Sequence, residues 1–141
     1  MKHEIYPCLW FDGQAKEAAE LYCSIFPNSK ITMDSQMVVN FELSGKKFMG
    51  LNGGPHFKFN EAVSFVITCE DQKEIDHYWN SLTANGGKES QCGWLVDKFG
   101  VSWQVVPSIL GKLMSDPEKG QRVVAAFMKM KKFDIETLLN A

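Results

Sequence analysis

The feature that most constrains the fold is an internal repeat with a spacing of 57 residues. Each copy reads as a strand, then a helix, then further strands. Because repeated supersecondary units bury a shared core, the repeat predicts two similar modules around one central surface, at which a ligand is expected. Four aligned pairs are identical and two are similar in type: Lys16 and Lys73, Glu17 and Glu74, Ser24 and Ser81, Asn28 and Asn85, Tyr22 and Trp79, Ile25 and Leu82.

Length and charge limit what the two copies can be. With 141 residues, of which 45% are hydrophobic, the chain suits one compact domain, and each half is too small to bury a good core alone. The net charge is -2 and basic residues are scattered, which excludes nucleic acid and anionic membrane as partners. No apolar run approaches the roughly 20 residues of a membrane-spanning helix, so we expect a cytoplasmic protein.

The first module is predicted to span residues 1–55. An apolar strand over residues 5–11 is followed by a helix with Asp12 as N-cap, and Pro27-Asn28 ends that helix. Two strands, 37–43 and 47–51, are joined through the turn Ser44-Gly45. Residues 56–61 are predicted to be a linker.

The second module is predicted to span residues 62–107. A strand over 62–69 leads at Glu70-Asp71 into a helix, and a hairpin joins strands 92–96 and 101–106. The remaining residues, 108–141, are predicted to form a helical tail. One helix begins at residues 115–118, and a last short helix has Asp134 as its N-cap.

Four cysteines are present, without the C-x-x-C spacing of zinc or redox sites: Cys8, Cys23, Cys69 and Cys92. Three of them lie in strand or helix patterns where a small apolar residue would serve. Reduced, mostly buried thiols are therefore favoured over a disulfide or a zinc site.

Five segments of the chain carry a family resemblance: residues 10–15, 21–29, 51–55, 91–94 and 99–104. They resemble the PhnB-like proteins of the vicinal oxygen chelate superfamily, many of which carry the label 3-demethylubiquinone-9 3-methyltransferase. The resemblance implies an α+β fold in which two βαβββ modules form a curled mixed sheet around a cleft, with C-terminal helices added. It also implies a homodimer.

In metal-using relatives, the resemblance implies His and Glu ligands on the first and last strands of the modules. The matching positions here are Pro7, Ser64, Gln104 and either Met49 or Asn52. Proline offers no donor atom and the others offer poor ones, so we predict that no metal or other cofactor binds. The three histidines, His3, His56 and His77, are expected on loops or the surface.

Strand alternation predicts the lining of the cleft. Ser102 and Gln104 share one face, Ser64 and Thr68 share it on the neighbouring strand, and Trp103 points the other way. Cys92 and Trp94 are expected to share one face of the next strand, where the glycine before Trp94 leaves room beside it. The predicted ligand-binding residues are Ser64, Thr68, Cys92, Trp94, Ser102, Gln104 and Asn52. They suit a small, flat or partly apolar organic molecule. The alternative is that Trp94 and Trp103 both belong to the core and fill the cleft.

Motifs of other chemistries do not occur. The sequence has no G-x-S-x-G, P-loop or H-E-x-x-H, and its glycine pairs do not open a helix as in nucleotide-binding sheets. Cys92 is the one candidate nucleophile, but the charges near it in sequence are acidic, which favours an inert thiol. The first hypothesis is therefore metal-free binding of a small organic ligand. The alternatives are an enzyme of the glyoxalase and dioxygenase superfamily, or a methyltransferase as the family label suggests.

Overall fold

The computed structural model describes residues 3–141. The chain divides into two compact units, Met1–Phe59 and Asn60–Ala141, each with its own four-stranded mixed sheet. The fold is α+β, as predicted. Among the described residues no helix combines the length and the apolar character needed to cross a membrane.

The first unit consists of five elements. They are β1 (Cys8–Phe11), α1 (Ala15–Ile25), β2 (Lys30–Asp34), β3 (Val38–Leu43) and β4 (Lys46–Asn52). The strand order is β1-β4-β3-β2, in which β1 runs parallel to β4 and the other neighbours are antiparallel.

Helix α1 covers one face of this sheet. The strict alternation of buried and half-buried residues along β3 shows that every second side chain points toward the helix. Gly50 of β4 lies under Ala15, where a β-carbon would be 3.1 Å from the alanine methyl group, so the helix sits close to the sheet. The core consists of Leu9, Phe11, Ala15, Ala18, Ala19, Tyr22, Ile25, Phe26, Val39, Phe41, Leu43 and Phe48.

The second unit repeats this arrangement and adds a tail. Its sheet contains β5 (Ser64–Cys69), β6 (Lys88–Glu89), β7 (Trp94–Val96) and β8 (Ser102–Pro107), and α2 (Gln72–Thr83) follows β5. The strand order β5-β8-β7-β6 is the same as in the first unit, and β5 runs parallel to β8.

The structure explains why both copies of the repeat carry an asparagine at the same position. Asn28 and Asn85 follow α1 and α2 and adopt left-handed backbone angles, with φ of 51° and 56°. Asparagine tolerates this conformation better than most residues, which explains why both copies carry it where the chain leaves the helix. Tyr22 and Trp79, another aligned pair, are both buried under their sheets.

The tail contains α3 (Leu110–Met114), α4 (Gly120–Phe127) and α5 (Ile135–Leu139). Asp134 is the N-cap of α5, as predicted, and accepts a hydrogen bond from the Thr137 amide at 3.1 Å. The predicted helix start at residues 115–118 is wrong. Asp116 instead accepts hydrogen bonds within a turn, from the amides of Glu118 and Lys119, and α4 begins only at Gly120.

Other boundaries also differ from the sequence predictions. Strand β1 begins at Cys8 rather than at residue 5, and Asp12 is not the N-cap of α1. Gln14 holds the cap position but makes no capping bond with its side chain. The side chain of Asn52 accepts the hydrogen bond of the Ala15 amide instead, at 2.9 Å.

Candidate functional site

One face of the second sheet carries five of the seven side chains predicted to bind a ligand, all of them except Cys92 and Asn52. Helix α2 packs against β7 and β8, and Leu95, Trp103 and Val105 are buried beneath it. The residues that alternate with these point to the opposite side of the sheet. We call this side the open face, formed by Ser64, Val66, Thr68, Trp94 and Gln104.

The strand register brings three of these residues into one row. Val66 pairs with Gln104 across β5 and β8, and Gln104 pairs with Trp94 across β8 and β7. The side-chain amide Nε2 of Gln104 donates a hydrogen bond to Ser64 Oγ at 3.0 Å. Because Ser64 accepts this bond, its own hydroxyl proton and the amide oxygen of Gln104 can bind a further partner.

The open face combines apolar and neutral polar surface. Val66 is 56% exposed although it lies in the middle of β5, and Thr68 is exposed beside it. Trp94, Gln104 and Ser64 are half-buried. An indole, an amide and a hydroxyl around an exposed valine give a surface with hydrogen-bonding groups and no formal charge.

Ser102 differs from the other predicted residues of this strand. It shares their face through its pairing with Ser64 and Val96. However, it is only 1% exposed, and its Oγ has no hydrogen-bond partner among the described residues. Ser102 therefore lies beneath the surface that the open face presents.

Cys92 does not share a strand face with Trp94, contrary to the prediction. It lies in a turn before β7 with φ of 57°, and its amide donates to the carbonyl of Met130 at 2.8 Å. The next residue, Gly93, has no room for a side chain, because a β-carbon there would clash with the Phe133 ring. The glycine therefore makes space for the tail rather than for Trp94.

Asn52 belongs to the first unit, where its side chain joins two backbone segments. Its Oδ1 accepts from the Ala15 amide and its Nδ2 donates to the carbonyl of Gln36, both at 2.9 Å. Asn52 pairs with Phe11 of β1, and Met49 pairs with Cys8. Because Met49 and Asn52 are three residues apart along β4, strand alternation places their side chains on opposite faces of the sheet. Asn52 also lines a cavity of about 460 Å³, together with Gly13, Gln36 and Met37.

The positions that match metal ligands are occupied as follows. The carbonyl of Pro7 accepts a hydrogen bond from the Met49 amide at 3.0 Å, and the side chains of Ser64 and Gln104 bond to each other. His3, His56 and His77 are all exposed. Within residues 3–141 there is no group of three His, Cys, Asp or Glu side chains placed to hold a metal ion.

The thiols vary in exposure. All four cysteines are free, but only Cys69 is fully buried and Cys8 is exposed, so the expectation of mostly buried thiols is wrong. Burial raises the pKa of Cys69 to about 12, assisted by the nearby carboxylates of Glu74, Asp71 and Glu70. Partial burial also raises the pKa of Cys8 and of Cys23. Because a thiolate is the reactive form, these three cysteines are poor nucleophiles.

Comparisons with solved structures define the class of fold. The chain is similar to a glyoxalase-related enzyme from Fulvimarina pelagi, with 11% identity, a TM-score of 0.58, and coverage of 78% of this chain and 91% of that one. It is also similar to a glyoxalase/bleomycin resistance protein from Albidiferax ferrireducens, with 10% identity, a TM-score of 0.55, and coverage of 72% and 95%. These similarities show that the chain has the fold of the glyoxalase-related and glyoxalase/bleomycin resistance proteins.

A narrower assignment comes from sequence. The family described as 3-demethylubiquinone-9 3-methyltransferase matches residues 3–106. A PhnB protein from Bacillus cereus is 30% identical, with a TM-score of 0.69, and the match covers 75% of this chain and all of that one. The chain belongs to this PhnB-like family. Among curated proteins, none matches the sequence.

Proposed function

We propose that the protein binds a small organic molecule on the open face, without a catalytic metal ion. The observation that supports this proposal best is the hydrogen bond between Gln104 and Ser64 beside the half-exposed ring of Trp94. The bond orients an amide in the middle of a partly apolar sheet face on which Val66 and Thr68 are exposed. Ligand sites commonly combine apolar surface with a few oriented polar groups in this way.

The side chains of the open face also indicate what the ligand offers. Trp94 suits a flat, apolar part of the molecule, because an indole ring binds such groups by stacking and by burial of apolar area. Gln104 and Ser64 suit a neutral carbonyl or hydroxyl group. A charged ligand would lack a counter-charge among these five residues, so the proposed class is a neutral molecule with an aromatic or otherwise flat part.

Nuclear magnetic resonance can test this proposal with defined probes. A panel of neutral phenols and aromatic amides is added to the ¹⁵N-labelled protein, and the signals of the Gln104 side-chain amide and the Trp94 indole are followed. We expect at least one probe to shift both signals and to bind at least about tenfold more weakly to Gln104→Ala, a loss of about 1.4 kcal/mol. The matched control is Gln121→Ala, which alters an exposed glutamine of α4.

Two results would contradict the proposal. Either no probe in the panel shifts the Gln104 and Trp94 signals, or the probes that do so bind equally well to wild type and to Gln104→Ala. Unfolding temperatures of both variants show whether the fold is intact.

Methyl transfer is the second candidate, because the description of the matched family names it. Most methyltransferases hold S-adenosylmethionine at the glycine-rich first turn of a doubly wound sheet, whereas this chain has two separate four-stranded mixed sheets. Fold alone does not decide function. Equilibrium dialysis with S-adenosylmethionine at millimolar concentration tests this candidate, and we expect no binding.

We also propose that the protein forms a homodimer, as the resemblance to its family implies. Light scattering after size-exclusion chromatography measures the molar mass directly. A mass near twice the 16.0 kDa of one chain is expected, and a mass of one chain at micromolar concentration would contradict the proposal.

A further inference from the structure

Two sulfur atoms meet in the second unit, outside the open face. Cys92 Sγ lies 3.9 Å from Met128 Sδ. Cys92 is half-buried in the turn before β7, and Met128, which follows α4, is 60% exposed. Both atoms therefore lie near solvent, although 36 residues separate them along the chain.

Backbone hydrogen bonds hold the two sulfur-bearing segments together. The amide of Cys92 donates to Met130 and the amide of Gly93 donates to Lys131, both at 2.8 Å. Phe133 packs against Gly93 so closely that no side chain fits there. The turn that carries the thiol is thus fixed against the segment that carries the thioether, and the pair does not depend on flexible side chains alone.

We propose that Cys92 and Met128 form a binding site for a soft monovalent metal ion, Cu(I). Thiolate and thioether are the donors that select Cu(I) over harder ions. If both metal–sulfur bonds are about 2.3 Å long, the sulfur–metal–sulfur angle is roughly 115° at the observed distance between the two sulfur atoms. Such an angle leaves space for a third donor, and Met130 is the next thioether in the same segment.

The binding step is a simple exchange. Cys92 loses its proton to solvent, and Cu(I) takes the place of that proton on Sγ while Met128 Sδ completes the contact. One proton is released for each ion bound, and no atom changes oxidation state. Affinity therefore rises with pH, as for other metal sites that contain thiolate.

The test is an anaerobic titration of the full chain with Cu(I), in competition with a chromogenic Cu(I) chelator. All proteins carry Cys8→Ser, which removes the exposed thiol. We expect one ion per chain, loss of this ion in Cys92→Ser, and an affinity at least about tenfold lower in Met128→Leu. The matched control is Met37→Leu in the first unit, where Met37 is 65% exposed, and its affinity should stay within about twofold of the parent.

Two outcomes would overturn the site. One is equal Cu(I) affinity in Met128→Leu and Met37→Leu, and the other is retention of the ion by Cys92→Ser. Because Cys92 has a left-handed backbone, circular dichroism checks that its variant folds. If that variant unfolds, the comparison of the two methionine variants still decides the proposal, since both substitutions alter exposed side chains.

Discussion

At the scale of the residue, one buried carboxylate organises the turn between β7 and β8. Asp97 is 3% exposed, and its Oδ1 accepts from the amides of Phe99 and Val101 at 2.9 and 3.0 Å. Its Oδ2 accepts from the Trp103 indole at 2.9 Å. A carboxylate buried to this degree needs such donors, because burial without them is strongly unfavourable.

We therefore expect Asp97→Asn to lower the free energy of unfolding by about 3 kcal/mol, since an amide has one acceptor oxygen where the carboxylate has two. Urea denaturation followed by circular dichroism measures the loss. Asp12→Asn, at an exposed aspartate, is the control and should stay within about 0.5 kcal/mol of wild type. A similarly small effect of Asp97→Asn on the free energy of unfolding would show that the carboxylate charge is not needed for stability.

The buried thiol of Cys69 gives a prediction about pH. Its pKa in the folded protein is raised to about 12, whereas an unperturbed thiol titrates near 8.5. The folded state thus keeps a proton that the unfolded state releases, so the stability from this group is complete below about pH 8.5 and falls as pH rises toward 12. Cys69→Ala should accordingly show a smaller loss of stability between pH 8.5 and 11 than wild type.

Alkylation checks the same property without unfolding the protein. With iodoacetamide at pH 8, peptide mapping should find Cys8 modified at least about tenfold faster than Cys69, because the reagent needs an accessible thiolate. Equal rates in the folded protein, together with equal rates in urea, would contradict the assigned burial.

At the scale of the element, the side chain of Gln72 links α2 to the tail. Gln72 Oε1 accepts from the Ile135 amide and its Nε2 donates to the Phe133 carbonyl, both at 2.9 Å. The glutamine amide thus pairs with the tail backbone as a neighbouring strand would. Lys132 adds an ion pair to Asp76 at 2.9 Å, which lowers the pKa of that carboxyl with help from Gln72.

Gln72→Ala should loosen the attachment of α5. The loss of two hydrogen bonds to backbone groups is expected to cost about 1–2 kcal/mol. Hydrogen exchange measured by mass spectrometry should become faster in residues 132–139 and remain unchanged in β3. The control, Gln121→Ala, alters an exposed side chain and should leave both segments unchanged. Unchanged exchange in residues 132–139 of Gln72→Ala would mean that the Gln72 side chain is not needed to hold the tail.

The helix ends show which elements the sequence can predict. Asp134 caps the amide three residues ahead of it, and Asp71 does the same for Glu74 at 2.9 Å, so a local pattern is enough to find both. The start of α1 depends on Asn52, which lies 37 residues from Ala15, and no local pattern reveals that bond. Strand β2 is mostly exposed and contains a bulge near Ile31, so it lacks the alternation from which strands are predicted.

At the scale of the whole molecule, the repeat was sufficient to predict two modules, and both sheets have the same strand order. The side chains of β5 and β8 could also be assigned to faces, because strand alternation has a fixed period of two. What could not be predicted was the position of Cys92, which a contact with the tail determines, and the burial of Ser102. Both depend on packing between elements distant in sequence.

The last prediction concerns metal ions and applies to the chain as a whole. Ser64 and Gln104 bind each other at positions that match metal ligands, and neither supplies an imidazole or a carboxylate. We expect a chelator of divalent ions to leave the unfolding temperature unchanged, and titration with Zn(II), Ni(II), Mn(II) or Fe(II) to give no stoichiometric complex. The positive control is the double variant Ser64→His with Gln104→Glu. Because the two side chains already meet at 3.0 Å, this variant should bind Zn(II) at least about tenfold more tightly than wild type. A stoichiometric divalent ion in the wild-type protein would instead mean that other side chains of the chain coordinate it. That result would contradict the proposal of metal-free binding and favour a metal-dependent enzyme.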